Sequence, residues 1–129
     1  MGGKQSINRD LAILKLIRDR QNELLQELQF YGISHASDLI VSERVRITVR
    51  RGLVQMVGDI FELTNGMRET TKAKIGFNTI VIREFRNRAT HNYGVLSNEI
   101  AFACMQHCTD VALRKSVIDE INSLQSELT

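Results

Sequence analysis

The sequence predicts an all-α protein, a single domain that folds as an antiparallel four-helix-type bundle. Three observations favour this fold class. The chain has 129 residues and no proline, the residue that most strongly interrupts helices. Apolar residues recur every three or four positions over long stretches, which is helical spacing. No stretch shows the alternation of apolar and polar residues that is typical of a half-buried strand.

The first two predicted helices cover about residues 8–30 and 39–64. Tyr31-Gly32 and Asn65-Gly66 follow them, and glycine after a helical stretch is a stop signal. The apolar face of the first helix is formed by Ile13, Ile17, Leu24 and Leu28. That of the second is formed by Val45, Val49, Leu53, Met56, Ile60 and Leu63.

The other two predicted helices cover about residues 78–91 and 97–128, after a loop or short helical turn that extends to Gly76. Gly94 marks the end of the third helix. Ser97 is a suitable N-cap for the fourth, with Glu99 in its first turn. The later part of the fourth helix carries an apolar stripe of Leu113, Val117, Ile121, Leu124 and Leu128. Four amphipathic helices with short connections pack most simply as an antiparallel bundle, here over about residues 8–128 of one domain, 1–129.

Composition narrows the class of protein. Hydrophobic residues make up 43% of the chain and charged residues 25%, as in an ordinary soluble domain. No apolar run approaches the roughly 20 residues that span a bilayer, so no membrane partner is expected. Two cysteines and the lack of a secretory signal favour a reducing cytoplasm. Residues 43–91 carry ten basic and five acidic side chains, a net charge of +5, which favours an anionic partner at that part of the chain.

The most informative segment is the third predicted helix, where Arg83, Arg86, Arg88 and His91 lie within nine residues. A histidine titrates near neutral pH and can move protons. An arginine stays charged and offers a forked donor to phosphate. Together they provide what metal-free RNA cleavage requires: proton transfer at the 2′-hydroxyl and the 5′-oxygen, and a fixed cation at the phosphorus. This chemistry calls for no metal and no cofactor.

Helix geometry constrains how these residues can act together. Arg86 and His91 are five positions apart, so they lie about 140° apart around an ideal helix. Either the helix ends or bends near His91, or two copies of the chain face each other. A symmetric dimer would also bring two histidines into one cleft. Asn87 and His91 share a face, so Asn87 can orient the imidazole or contact a phosphate. The alternative is a set of solvated charges at a helix end.

Residues 86–93 (Arg-Asn-Arg-Ala-Thr-His-Asn-Tyr) resemble the Arg-x4-His-x-Tyr motif of HepT-like proteins in the HEPN superfamily. The resemblance extends over about residues 8–125. Val57-Gly58-Asp59 is similar to the Gly-Glu/Asp step of that family. The resemblance implies a HEPN-like helical bundle that dimerises and works as a metal-independent endoribonuclease toxin. It also implies a partner, an MntA-like minimal nucleotidyltransferase that acts as the antitoxin.

The resemblance implies a role for each matching residue. Arg86 and His91 match the catalytic pair, and Asn87 matches the polar residue that often follows the arginine. Asp59 is expected to position Arg86 by an ion pair. Tyr93 matches the tyrosine that the partner modifies with AMP, which would add charge and bulk beside the cleft and repel RNA. The alternatives are a non-catalytic helical partner of a separate nucleotidyltransferase, and a structural bundle with a coincidental motif.

Two further groups of residues allow more than one interpretation. The second helix carries four arginines that could follow RNA, face solvent or bind an acidic partner: Arg44, Arg46, Arg50 and Arg51. On the fourth helix Cys104, His107 and Cys108 share one surface, where they could hold zinc with an outside ligand. The more ordinary expectation for these two thiols is burial within the bundle.

Overall fold

The computed structural model describes the backbone of residues 3–40, 44–91 and 96–129, and the side chains in these ranges except at 44–46 and 89–91. Every regular element in these ranges is helical, so the all-α prediction is confirmed. The elements are α1 (Gly3–Phe30), a 3-10 helix (Ala36–Leu39), α2 (Arg44–Thr64), α3 (Glu69–Ile75), α4 (Thr79–His91), α5 (Asn98–Thr109) and α6 (Val111–Leu128). None of them combines the length and the apolar character that a bilayer-spanning segment needs.

The predicted starts of the first and second helices are wrong. The first helix begins at Gly3, five residues before the predicted start. Leu39, the predicted start of the second helix, instead closes the 3-10 helix, and α2 begins at Arg44. The predicted loop before Gly76 contains the short helix α3. Gly76 ends α3 with φ of +86°, a left-handed conformation that side chains with a Cβ rarely adopt.

The prediction of one long helix over residues 97–128 is wrong, because the chain breaks at Asp110. This residue has ψ of 136°, outside the helical range. Its side-chain Oδ2 accepts a hydrogen bond from the Leu113 backbone N–H at 3.1 Å and so caps the start of α6. The break frees the last carbonyls of α5 from helical partners. One of them, that of Cys108, accepts from the buried Gln21 side chain of α1 at 2.9 Å.

The long helices α1, α2 and α6 form the frame of the bundle. α1 packs between α2 and α6. Near the start of α1, Ile13 lies against Gly66, which follows the end of α2, so these two helices run antiparallel. The Leu14, Ile17 and Leu24 side chains of α1 are fully buried. They form one core with side chains of the other helices, including Leu53, Ile60 and Phe61 of α2, Met105 of α5 and Leu124 of α6.

A buried carboxylate ties α1 to the segment around α3. Asp10 is completely buried and accepts hydrogen bonds from Arg68 Nε at 2.6 Å, from the Arg68 backbone N–H at 3.2 Å and from Thr71 Oγ1 at 2.6 Å. Burial by itself would raise the pKa of Asp10, but these hydrogen bonds and the Arg68 charge outweigh it and lower the pKa. The contacts hold α3 in place beside α4, where the candidate site lies.

Candidate functional site

Helix α4 carries the Arg–His segment, and its inner face is anchored in the core. Ile82 and Phe85 are buried, and the Phe85 ring meets the Phe61 ring of α2 edge to face with centroids 5.3 Å apart. The Asn78 side chain caps the start of α4, since its Oδ1 accepts from the Ile80 and Val81 backbone N–H groups at 2.9 and 3.2 Å. Because α4 is capped at its start and buried along its inner face, the side of the helix on which each side chain lies is fixed.

Arg86 is half-buried and its guanidinium is held at the C-terminal end of α2. Its Nη2 donates a hydrogen bond to the Phe61 carbonyl at 3.0 Å. That carbonyl is one of the last four of α2, which have no partner within the helix, and it also accepts from Thr64 Oγ1 at 2.6 Å. A cation at the negative end of a helix is favourable. Arg86 is thus a positioned cation, and this contact with Phe61 was not predictable from the sequence.

A cleft of about 480 Å³ opens beside Arg86, between the end of α2, α3 and α4. Arg83, one turn before Arg86, lines the same cleft, together with Lys72 of α3. Arg83 is exposed and makes no hydrogen bond or ion pair with the residues that the structure describes. The spacing of Arg83 and Arg86, three positions apart, could have indicated from the sequence that they share a face.

The other predicted site residues fall on different sides of α4 or outside the described residues. The structure describes α4 as far as His91, and residues 92–95, where the predicted end or bend of the helix falls, lie outside the described residues. The His91 side chain and all of Tyr93 lie outside the described residues. Asn87 is exposed, one turn before the His91 position on the outward side of α4. The structure therefore places Arg86 toward the cleft and Asn87 toward solvent.

Asp59 is exposed on α2 and lies on another part of the surface. Its Oδ1 accepts a hydrogen bond from Gln55 Nε2 at 3.2 Å, and it lines a groove with Leu16 and Arg20 of α1. The ion pair with Arg86 that the resemblance implies is not among the contacts of this carboxylate in the described structure. The Arg86 guanidinium of α4 bonds to the Phe61 carbonyl, whereas the Asp59 carboxylate of α2 accepts from Gln55, so the two side chains make separate contacts.

The arginines of α2 do not act as one patch in the described part of that helix. Arg50 is half-buried and donates from Nε to Asn98 Oδ1 at 2.7 Å and from Nη2 to the Leu96 carbonyl. Burial lowers the pKa of its guanidinium. Arg50 therefore joins α2 to the start of α5, whereas Arg51 is exposed.

The three side chains considered as zinc ligands do not share one environment: Cys104, His107 and Cys108. Both cysteines are buried free thiols; burial raises the pKa of Cys104 to about 11, and burial together with the nearby Cys104 raises the pKa of Cys108 well above its ordinary value. His107 Nε2 accepts from the Asn78 backbone N–H at 3.0 Å, and burial lowers its pKa despite the charge of Asp110. The described residues contain no group of three or more potential ligands that could hold a metal ion.

Replacing Arg86 with alanine should lower the free energy of unfolding by about 1–2 kcal/mol, because the Phe61 carbonyl loses its charged donor but keeps Thr64. Arg83→Ala, one turn earlier and without a described partner, is the matched control and should change stability by less than about 0.5 kcal/mol. Chemical denaturation of the three proteins measures both effects. Equal stability of the two variants would show that the Arg86 contact contributes nothing.

The chain matches no family model, no curated protein and no solved structure. The HEPN resemblance of residues 86–93 therefore stays a prediction.

Proposed function

We propose that the chain is a metal-independent RNA endonuclease with a HEPN-like fold, the HepT-like toxin of a prokaryotic toxin–antitoxin pair. The observation that carries the proposal is the position of Arg86. Its guanidinium is bonded to the Phe61 carbonyl at 3.0 Å and borders a cleft that two further cations line. A cation that is already in place stabilises developing negative charge without reorganising during the reaction.

The chemistry assigns a role to each motif residue. His91 takes the proton of the 2′-hydroxyl, whose oxygen attacks the adjacent phosphorus while the bond from phosphorus to the 5′-oxygen breaks. A second histidine, supplied by a partner protomer, protonates the departing 5′-oxygen. Arg86 stabilises the phosphorane charge, and Asn87 orients the His91 ring. The products are a 2′,3′-cyclic phosphate and a free 5′-hydroxyl.

The outward face of α4 supports a homodimer. Ile80 is 62% exposed, and Glu84 and Asn87 are exposed beside it. Ile80, Glu84 and Asn87 recur at helical spacing and so form one stripe, which is exposed in the described part of the chain and leads to the His91 position. A second copy packed on this stripe would bring two His91 positions together. Each histidine could then have one role, acid or base.

Regulation in this proposal is by modification of Tyr93, two residues beyond the end of α4. An MntA-like nucleotidyltransferase antitoxin would transfer AMP to the tyrosine hydroxyl. The added phosphate would repel RNA at a segment that the cations of α4 otherwise make attractive.

A second candidate function is a non-catalytic helical partner of a separate nucleotidyltransferase subunit. One observation favours it: the Arg86 contact with Phe61 accounts for this arginine as a helix cap without any catalysis. In that case the motif would be a docking and modification site.

The experiment that tests the proposal is an RNA cleavage assay in excess EDTA, with protein whose mass shows no AMP on Tyr93. Cleavage that leaves a 2′,3′-cyclic phosphate is expected from the parent. Retained cleavage by both Arg86→Ala and His91→Ala would overturn the assignment of the site. No cleavage by a correctly folded, dimeric and unmodified parent would favour the partner-binding alternative.

A further inference from the structure

The cleft between α2, α3 and α4 has the size and lining of a small-molecule site. Its volume is about 480 Å³, within the roughly 300–1,000 Å³ of ligand pockets. The apolar part of the lining comes from Met67 and Ile82, both buried, and from the half-buried Phe77. The Asn65 side chain, exposed at the end of α2, adds an amide donor and acceptor to the lining.

The charged residues of the lining favour an anion. Lys72, Arg83 and Arg86 are cationic, and Glu69 is the single acidic lining residue. The Glu69 carboxylate is already paired with Lys72 Nζ at 3.2 Å, and three cations against one anion give the described lining a formal net charge of +2. Arg83 has no partner among the described residues, so its forked donor is available to a phosphate.

We propose that this cleft binds one nucleotide of the RNA strand, beside the phosphate that is cleaved. Its phosphate contacts Arg83 next to Arg86, and its base lies over Ile82, Met67 and Phe77. Phe77, the half-buried ring of the lining, provides most of the apolar contact area for a base, since Met67 and Ile82 lie deeper. The inference depends on the proposed function for the identity of the ligand. It assigns Arg83 to substrate binding, a role that the motif does not include.

Direct binding tests the cleft without requiring catalysis. The probe is a labelled, single-stranded 2′-O-methyl RNA oligonucleotide, which lacks the attacking hydroxyl, and affinity is measured by fluorescence anisotropy. Arg83→Ala should weaken binding on the order of tenfold. It should also reduce the slope of log affinity against log salt by about 0.7, the value for one single-strand phosphate contact. Ala73→Leu, an exposed position on α3 that lines the cleft, should weaken binding by occupying the space while keeping every charge.

Two matched variants outside the cleft control for the loss of one positive charge and for the added volume of a leucine side chain. Lys115→Ala removes one exposed cation of α6, and Ala112→Leu adds the same side chain at an exposed position of that helix. Both should bind like the parent. The inference is overturned if the parent does not bind the probe, if the cleft variants bind like the controls, or if inorganic phosphate competes as well as a mononucleotide.

The outcomes separate this inference from the proposed function. Cleavage of natural RNA by the parent, with unchanged binding in Ala73→Leu and Arg83→Ala, would retain the nuclease and reject the nucleotide site. Binding that depends on both cleft residues, without any cleavage, would support the nucleotide site and reject the nuclease.

Discussion

His91→Ala should reduce the rate of RNA cleavage by about 10²–10⁴-fold, because proton transfer by a positioned side chain contributes that much to catalysis. Alanine is compatible with position 91, since this position is helical and alanine has the highest helix propensity. The fold should therefore persist while the proton donor and acceptor are lost. The rate is measured under single-turnover conditions in EDTA.

The matched control is His35→Ala, which removes another histidine from an exposed position before the 3-10 helix and should cleave at the parental rate. Arg86→Ala needs a second control, because the Arg86 side chain also caps α2. Its cleavage rate should be compared at a temperature at which denaturation shows the variant to be fully folded. A His91→Ala protein that cleaves within a few-fold of the parent would remove His91 from the mechanism.

Asp10→Ala should lower the free energy of unfolding by about 3 kcal/mol, more than Arg86→Ala does. Breaking a buried ion pair costs roughly 3–5 kcal/mol, and the lower end applies because the Arg68 side chain is one-third exposed and stays hydrated. The variant leaves the Arg68 and Thr71 donors without their acceptor. Asp19→Ala, an exposed position of α1 with a surface ion pair to Arg18, is the control and should cost less than about 1 kcal/mol.

The contribution of Asp10 should also depend on pH. Its pKa in the folded protein is lowered from the ordinary value of 3.8, so the stabilisation is present above pH 3.8 and is lost as the pH falls through the folded pKa. Glu120 acts in the opposite direction, since burial raises its pKa and outweighs the opposing charge of Lys74. Comparing the free energy of unfolding of the parent with that of Asp10→Asn at neutral and acidic pH isolates the contribution of the Asp10 charge. If the difference in unfolding free energy between these two proteins does not decrease at acidic pH, the ionisation assigned to Asp10 is wrong.

Most of the helical structure could be predicted from the sequence, and the errors have local causes. The end of α1 at Phe30 follows from helical periodicity and from the glycine after the helix, and the start of α4 follows from helical periodicity. The spacing of apolar residues does not reveal the break at Asp110, because they recur at helical intervals up to Cys108 and again from Leu113. Aspartate is a preferred N-cap, so the capping of Leu113 was a signal that the sequence contained.

The candidate site, too, was only partly predictable from the sequence. Three properties follow from the sequence alone: the helical class, the concentration of positive charge in residues 43–91, and the motif that contains Arg86, Asn87 and His91. These properties depend on residue type and on spacing within one helix. Tertiary structure decided that Arg86 caps α2, that Asp59 lies on another surface, and that Arg83 and Lys72 line one cleft. Such contacts join distant parts of the chain, and only the packing of the helices determines which side chains meet.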